Sequence, residues 1–160
     1  VGVTTTTSLP DEPGPWLIFD KGDLGGSEYE ERALPGIGRP FREPNPDFPP
    51  NHNVVEAMSD PQVQKMVKDV TCADCSDIAA YLYKEAGQKG AILNVKPALR
   101  NNLNVLENGV LEKRQTYHQV YSDGQYVYDP RVSSRPVPQG DWLQLMKGTN
   151  PDGISISKIK

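Results

Sequence analysis

The stretch Tyr117-His118-Gln119-Val120-Tyr121-Ser122-Asp123-Gly124-Gln125-Tyr126-Val127-Tyr128-Asp129 decides the architecture of this chain. Residues 116–121 are rich in aromatic and β-branched side chains and read as a strand. Asp123-Gly124 is a hairpin signal, because glycine and its acidic neighbour tolerate the positive φ that tight hairpins require. Residues 125–128 then form the returning strand, and Asp129-Pro130 ends it, since proline donates no ladder hydrogen bond.

Upstream of this hairpin the period changes from strand to helix. Ser59-Asp60-Pro61 is a helix start, a capping residue followed by proline at the first helical position. Val63, Met66, Val67 and Val70 then recur on one helical face. A second helix starts at Thr71 or Asp74, buries Ile78, Ala79, Leu82 and Ala86, and stops at Gly87. Over residues 72–86 it is expected to be the central helix, packed on the sheet that carries His118 and Asp129. Residues 91–95 form a short strand. Residues 97–114 are mixed, with turn signals at Asn101-Asn102 and Glu107-Asn108-Gly109. Downstream, residues 141–146 read as a short amphipathic helix, and Ile154, Ile156 and Ile159 mark a last strand. Helices followed by a β-meander define an α+β fold.

Residues 1–50 differ in composition. They hold nine of the fifteen prolines and half of the glycines. They are expected to be a Pro/Gly-rich linker or N-terminal extension, in which only Trp16-Leu17-Ile18-Phe19 is suited to docking. Residues 51–160 are the expected catalytic domain. The chain begins at Val1 and reads as a piece of something longer. Its 160 residues suffice for one hydrophobic core. Mean hydropathy is −0.58, and no apolar run approaches the length of a membrane span. The net charge of −4, with basic residues scattered, argues against a nucleic-acid partner.

Two cysteines, Cys72 and Cys75, and two histidines, His52 and His118, are the whole supply of thiol and imidazole. Their spacing fits no zinc finger. The C-x-x-C follows a helix, where a thioredoxin-type motif would follow a strand. No metal or cofactor is expected. A cysteine at a helix N-terminus is suited to nucleophilic chemistry, because the helix dipole and its unpaired N–H groups favour a thiolate and a developing oxyanion. Thr71 with Asp74 makes a capping box that puts Cys72 at the first helical position; Asp74 as the cap would put Cys75 there instead. His118 on the first strand of the hairpin is the candidate base. Asp129, at the end of the partner strand, is the candidate orienting acid. Gln62, Gln64 and Gln119 are candidates to complete an oxyanion site. His52 reads as a surface residue.

The order Cys, His, Asp along helix, strand and strand end is that of papain-type enzymes. Cys72-Ala73-Asp74-Cys75-Ser76, the helix to Gly87, Gly90 and the strand at 92–95 resemble the papain-fold toxin domains of bacterial polymorphic toxins. So do Tyr117-His118-Gln119-Val120, Gly124-Gln125-Tyr126-Val127-Tyr128-Asp129 and Gly140-Asp141-Trp142-Leu143. The resemblance covers roughly residues 60–147 and implies a papain-like fold. This chain has Ser76 where those domains often have alanine. Aligned that way, the length from Cys72 to Gly90 is kept without a gap, so the resemblance favours Cys72 as nucleophile. A more distant resemblance to bacterial cell-wall cysteine peptidases, whose helix opens with Asp-Cys-Ser, selects Cys75.

The resemblance implies an interbacterial effector acting as a cysteine protease on a target-cell protein, through Cys72 (or Cys75), His118 and Asp129. It further implies export by a bacterial secretion system, delivery to the target-cell cytoplasm and a cognate immunity protein. The same triad suits a glutamine deamidase or transglutaminase-like toxin. The rival classes are a cell-wall cysteine peptidase and a non-enzymatic binding domain whose Cys and His are core residues.

Overall fold

Alternation along the hairpin builds a sheet with two different faces. A computed structural model describes residues 14–19, 34–69, 74–99 and 102–160. Its elements in chain order are β1 (Gly14–Phe19), β2 (Leu34–Pro35), β3 (Gly38–Arg39), α1 (His52–Met58), α2 (Pro61–Lys68) and α3 (Cys75–Glu85). They continue with β4 (Ala91–Pro97), β5 (Leu103–Glu107), β6 (Val110–Gln115), β7 (His118–Ser122), β8 (Tyr126–Tyr128), β9 (Val137–Pro138), α4 (Gln139–Thr149) and β10 (Ile154–Lys158). Six strands form one sheet in the order β1-β10-β4-β7-β8-β9, every neighbouring pair antiparallel. The chain is therefore a mixed α+β protein.

Tyr121 faces Tyr128 across the hairpin, and Ile92 faces Tyr121 on the other side. Tyr121, Tyr126 and Tyr128 share a cluster with Val54, Met58, Val63, Val67, Ile78 and Leu82, so α1, α2 and α3 cover this face. The opposite face carries Leu93, Val95, Val120, Val127, Ile154 and Ile156, packed against Trp142, Leu143 and Met146 of α4 and Leu103 and Val105 of β5. The period-2 alternation of β7 and β8 thus sorts tyrosines to one layer and valines to the other.

The helix stripes behave as their spacing predicts: Val63 and Val67 on α2 are buried, as are Ile78, Ala79 and Leu82 on α3. Val70 lies outside the described residues. α3 ends in a Schellman arrangement, with Gln88 N–H donating to the Tyr83 carbonyl and Gly87 N–H to that of Lys84. Gly90 has φ +87°, and a Cβ there would stand 2.6 Å from the Ser122 carbonyl oxygen, so the chain passes β7 where only glycine fits. The mixed region resolves into the β5–β6 hairpin, turned by Asn108 and Gly109, both with positive φ.

Three features depart from the sequence reading. A seven-residue helix, α1, precedes α2 and is capped by Asn51, whose side chain accepts from the N–H groups of Asn53 and Val54. α4 spans eleven residues rather than six, because burial of Gln139, Trp142, Leu145, Met146 and Thr149 holds its ends. Residues 34–50 are fastened to the domain by side chains far away in sequence. Arg42 Nε sits 2.9 Å from the buried Asp141 carboxylate, and Arg135 holds Glu43 with both guanidinium nitrogens. The Tyr126 and Tyr128 hydroxyls accept from the N–H groups of Asn45 and Asn51. β1, which contains the 16–19 stretch, extends the sheet edge beside β10.

Leu82 is fully buried where α3 meets the tyrosine face. Leu82→Ala should cost about 2–5 kcal/mol of stability, read from urea denaturation. A cost within error of zero would contradict the central position of α3.

Candidate active site

The hairpin register brings His118 and Asp129 together. With Tyr121 opposite Tyr128 and Ser122 opposite Val127, one further step sets Val120 opposite Asp129 and leaves His118 diagonal to it. His118 opens β7 and Asp129 directly follows β8, so the two meet at the same end of neighbouring strands. His118 Nε2 lies 2.7 Å from Asp129 Oδ2, and both residues are buried. The other Asp129 oxygen accepts from Arg131 N–H at 3.1 Å, while the Asp129 carbonyl accepts from Val132 and Ser133. Asp129 therefore forms the turn before Pro130 and holds the imidazole at once, one oxygen for each.

A third group acts on the ring. Cys75 stands near enough to His118 to raise its imidazole, after the larger effects of burial and of Asp129. Cys75 is half-buried, and its sulfur also accepts from Gln119 N–H at 3.3 Å. The structure thus pairs His118 with Asp129 and sets the Cys75 sulfur against the backbone of the residue after His118. Cys72 lies outside the described residues, as do Thr71 and Ala73.

The helix start explains why Cys75 stands at this point. The cap is Asp74, with extended backbone, and α3 begins at Cys75, three residues after the start that would have served Cys72. Asp74 accepts from Ser76 N–H at 2.9 Å and Asp77 N–H at 3.2 Å, and Asp77 returns the bond to Asp74 N–H. This complete capping box fixes the first turn. It uses the N–H groups of residues 74, 76 and 77, and leaves that of Cys75 out of the cap.

Of the three glutamines singled out by sequence, Gln64 donates its amide to the Met58 carbonyl and Gln62 is exposed on α2. Gln119 stands beside the sulfur through its backbone. His52 lies on the surface against Glu56, away from this cluster. Sequence reading missed two contacts. Tyr117 hydroxyl donates to Asp74 at 2.9 Å. The buried Arg131 pairs with Glu107 at 3.3 Å and donates to the Met66 carbonyl at 2.8 Å, which ties the turn after Asp129 to β5 and α2. Adjacency of Tyr117 to His118 was the one signal available for the first; nothing local marks the second.

Burial alone would push the His118 imidazole down, but the Asp129 carboxylate, and after it the Cys75 side chain, outweigh this and hold the imidazole well above its ordinary value. Among the described residues, no group of three or more His, Cys, Asp or Glu is arranged to hold a metal ion, and no helix is long and apolar enough to cross a membrane.

No family model, curated protein or solved structure matches the chain.

The raised His118 value fixes the sign of a pH effect. Between about 6.5, the unfolded value, and the higher folded value, the native state binds more protons than the unfolded state. The stability this contributes is complete below about 6.5 and fades as pH rises through the folded value. NMR titration should therefore find the His118 ring still protonated above pH 7.5. Asp129→Asn, which keeps the burial and removes the attraction, should lower that midpoint. A wild-type midpoint near or below 6.5 would contradict the geometry.

Proposed function

We propose that this chain is a papain-like cysteine hydrolase that attacks peptide or carboxamide carbonyls, with Cys75 as nucleophile, His118 as base and Asp129 as orienting acid. The observation that carries this reading is the buried His118–Asp129 pair, with Cys75 at the start of α3 against the backbone of Gln119. An imidazole that favours its protonated form draws the proton from the thiol. The resulting thiolate is assisted by the N-terminus of α3 and by Gln119 N–H. Attack forms a tetrahedral intermediate, whose oxyanion the Cys75 N–H would receive. The imidazolium protonates the leaving amine, an acyl-enzyme remains, and water activated by the neutral ring releases the acid. Asp129 keeps the ring's tautomer and orientation through both steps.

The biological setting follows the resemblance. The domain would be the C-terminal part of an exported effector, delivered into the cytoplasm of a competing bacterium, where it acts on a protein substrate; the producing cell would hold a cognate immunity protein. A papain-like arrangement of α3 against the sheet is part of the same proposal. Hydrolysis of a glutamine side chain differs only in the leaving group, which would be ammonia, so deamidation is a direct outcome of the test.

One observation favours a second reading. α3 opens with Asp74-Cys75-Ser76, the pattern of the cell-wall cysteine peptidases, and Cys75 rather than Cys72 takes the first helical position. On that reading the substrate is peptidoglycan stem peptide and the site of action the periplasm.

Expression of the chain with and without an export signal separates the two: cytoplasmic toxicity supports the effector, toxicity only after export supports the wall peptidase. In whichever setting the protein is active, Cys75→Ala should lower turnover by more than about 10³-fold and leave the circular dichroism spectrum unchanged. Cys72→Ala should keep most of the activity. An active, folded Cys75→Ala variant would refute the assignment.

A further inference from the structure

The two residues that precede the proposed nucleophile and base in sequence are bonded to each other. Asp74 immediately precedes Cys75, Tyr117 immediately precedes His118, and the Tyr117 hydroxyl donates to Asp74 Oδ2 at 2.9 Å. The other Asp74 oxygen takes Ser76 N–H, Ser76 hydroxyl and Asp77 N–H. Hence one oxygen caps α3, while the other faces the start of β7.

This division solves two problems of the site. Cys75 is carried by a helix and His118 by a strand 43 residues later, and a proton passes between them only at hydrogen-bond distance. The Asp74–Tyr117 bond ties the helix end to the strand end one residue away from both reacting groups, so sliding of α3 along the sheet is opposed at the point where it would separate sulfur from imidazole. The second problem is electrostatic. A carboxylate next to a cysteine that must ionise opposes the thiolate. The donors gathered on Asp74, with Tyr117 the sole donor on Oδ2 among the described residues, hold its charge in hydrogen bonds.

We propose that Tyr117 is a positioning residue of the reaction, acting through Asp74 to hold the Cys75–His118 pair in register and to keep the cap's charge from disfavouring the thiolate. This rests on the cysteine-hydrolase reading above. Tyr117 is half-buried, and its hydroxyl reaches the cap rather than the core. Removing the hydroxyl while keeping the ring therefore separates positioning from packing. On the other side, serine at position 74 is itself a good helix cap and lacks the second oxygen that Tyr117 uses.

The test is alkylation of the folded full chain by iodoacetamide at pH 7 and pH 10, with the modified sulfur assigned by tandem mass spectrometry. The set comprises wild type, Tyr117→Phe, Asp74→Ser, the double variant and His118→Gln. At pH 7, Tyr117→Phe should lower the Cys75 rate by about tenfold, the loss expected for one hydrogen bond to a charged group. In the Asp74→Ser background, where Tyr117 has lost its partner and the opposing charge is gone, Tyr117→Phe should change the rate no further. At pH 10, where an ordinary thiol is already ionised, the Tyr117→Phe and wild-type rates should converge. Melting temperatures should agree within about 3 °C. A Tyr117→Phe rate equal to wild type at pH 7, or a deficit that persists at pH 10, would overturn the proposal. Cys75 reacting no faster in wild type than in His118→Gln would overturn the hydrolase reading, and the positioning role with it.

Discussion

The 2.7 Å contact between His118 and Asp129 is the constraint around which the rest of the protein is arranged. Both groups are buried, and a charge withdrawn from water is tolerated only where partners replace its hydration. The fold supplies those partners from three directions. Pairing of β7 with β8 brings the ring and the carboxylate to the same end of the hairpin. The turn after Asp129 gives its second oxygen the Arg131 N–H. The Arg131 guanidinium, buried in turn, is held by Glu107 on β5 and the Met66 carbonyl on α2. A buried pair of this kind is poor evidence of stability, because the same volume filled with apolar side chains would hold as well. The protein commits several elements to holding one imidazole against its carboxylate, which is sensible if the imidazole works.

Capping chemistry sets where α3 opens. Thr71 and Asp74 both qualify as caps when read along the chain, and each would place a different cysteine at the first helical position. Asp74 finds its box partner at Asp77 and a further donor in Tyr117, a residue 43 positions away. The tertiary contact adds to a local preference and the helix opens at Cys75. That opening also fits Asp-Cys-Ser better than it fits an alignment that begins the helix at Cys72.

Much of the architecture was legible because it is written in short-range patterns. The alternating strands around Asp123-Gly124, the apolar stripe from Ile78 to Leu82 and the Asn108-Gly109 turn each need only neighbours in sequence to be read. That Asp129 lies near His118 followed from the hairpin and its tight turn; that its carboxylate points at the ring did not. What escaped were features set by distant partners. Residues 34–50 look like linker until Arg42 is seen on Asp141 and Tyr126 on Asn45, contacts across 99 and 81 residues. α1 is a single short helix in a run rich in proline and asparagine, and its stability comes from packing Val54 and Met58 against the tyrosines. α4 outgrew its amphipathic signal because both of its ends are buried.

The account stands or falls on Cys75 being a nucleophile made reactive by His118. The most direct measurement is covalent trapping of the full chain with a peptidyl electrophile, such as a peptide vinyl sulfone, followed by intact-mass and tandem mass spectrometry. The account predicts one adduct per chain, on the Cys75 sulfur, formed rapidly by the wild type and lost in His118→Asn. Modification of Cys72 in preference to Cys75, or labelling of Cys75 at the same rate in the two proteins, would contradict it.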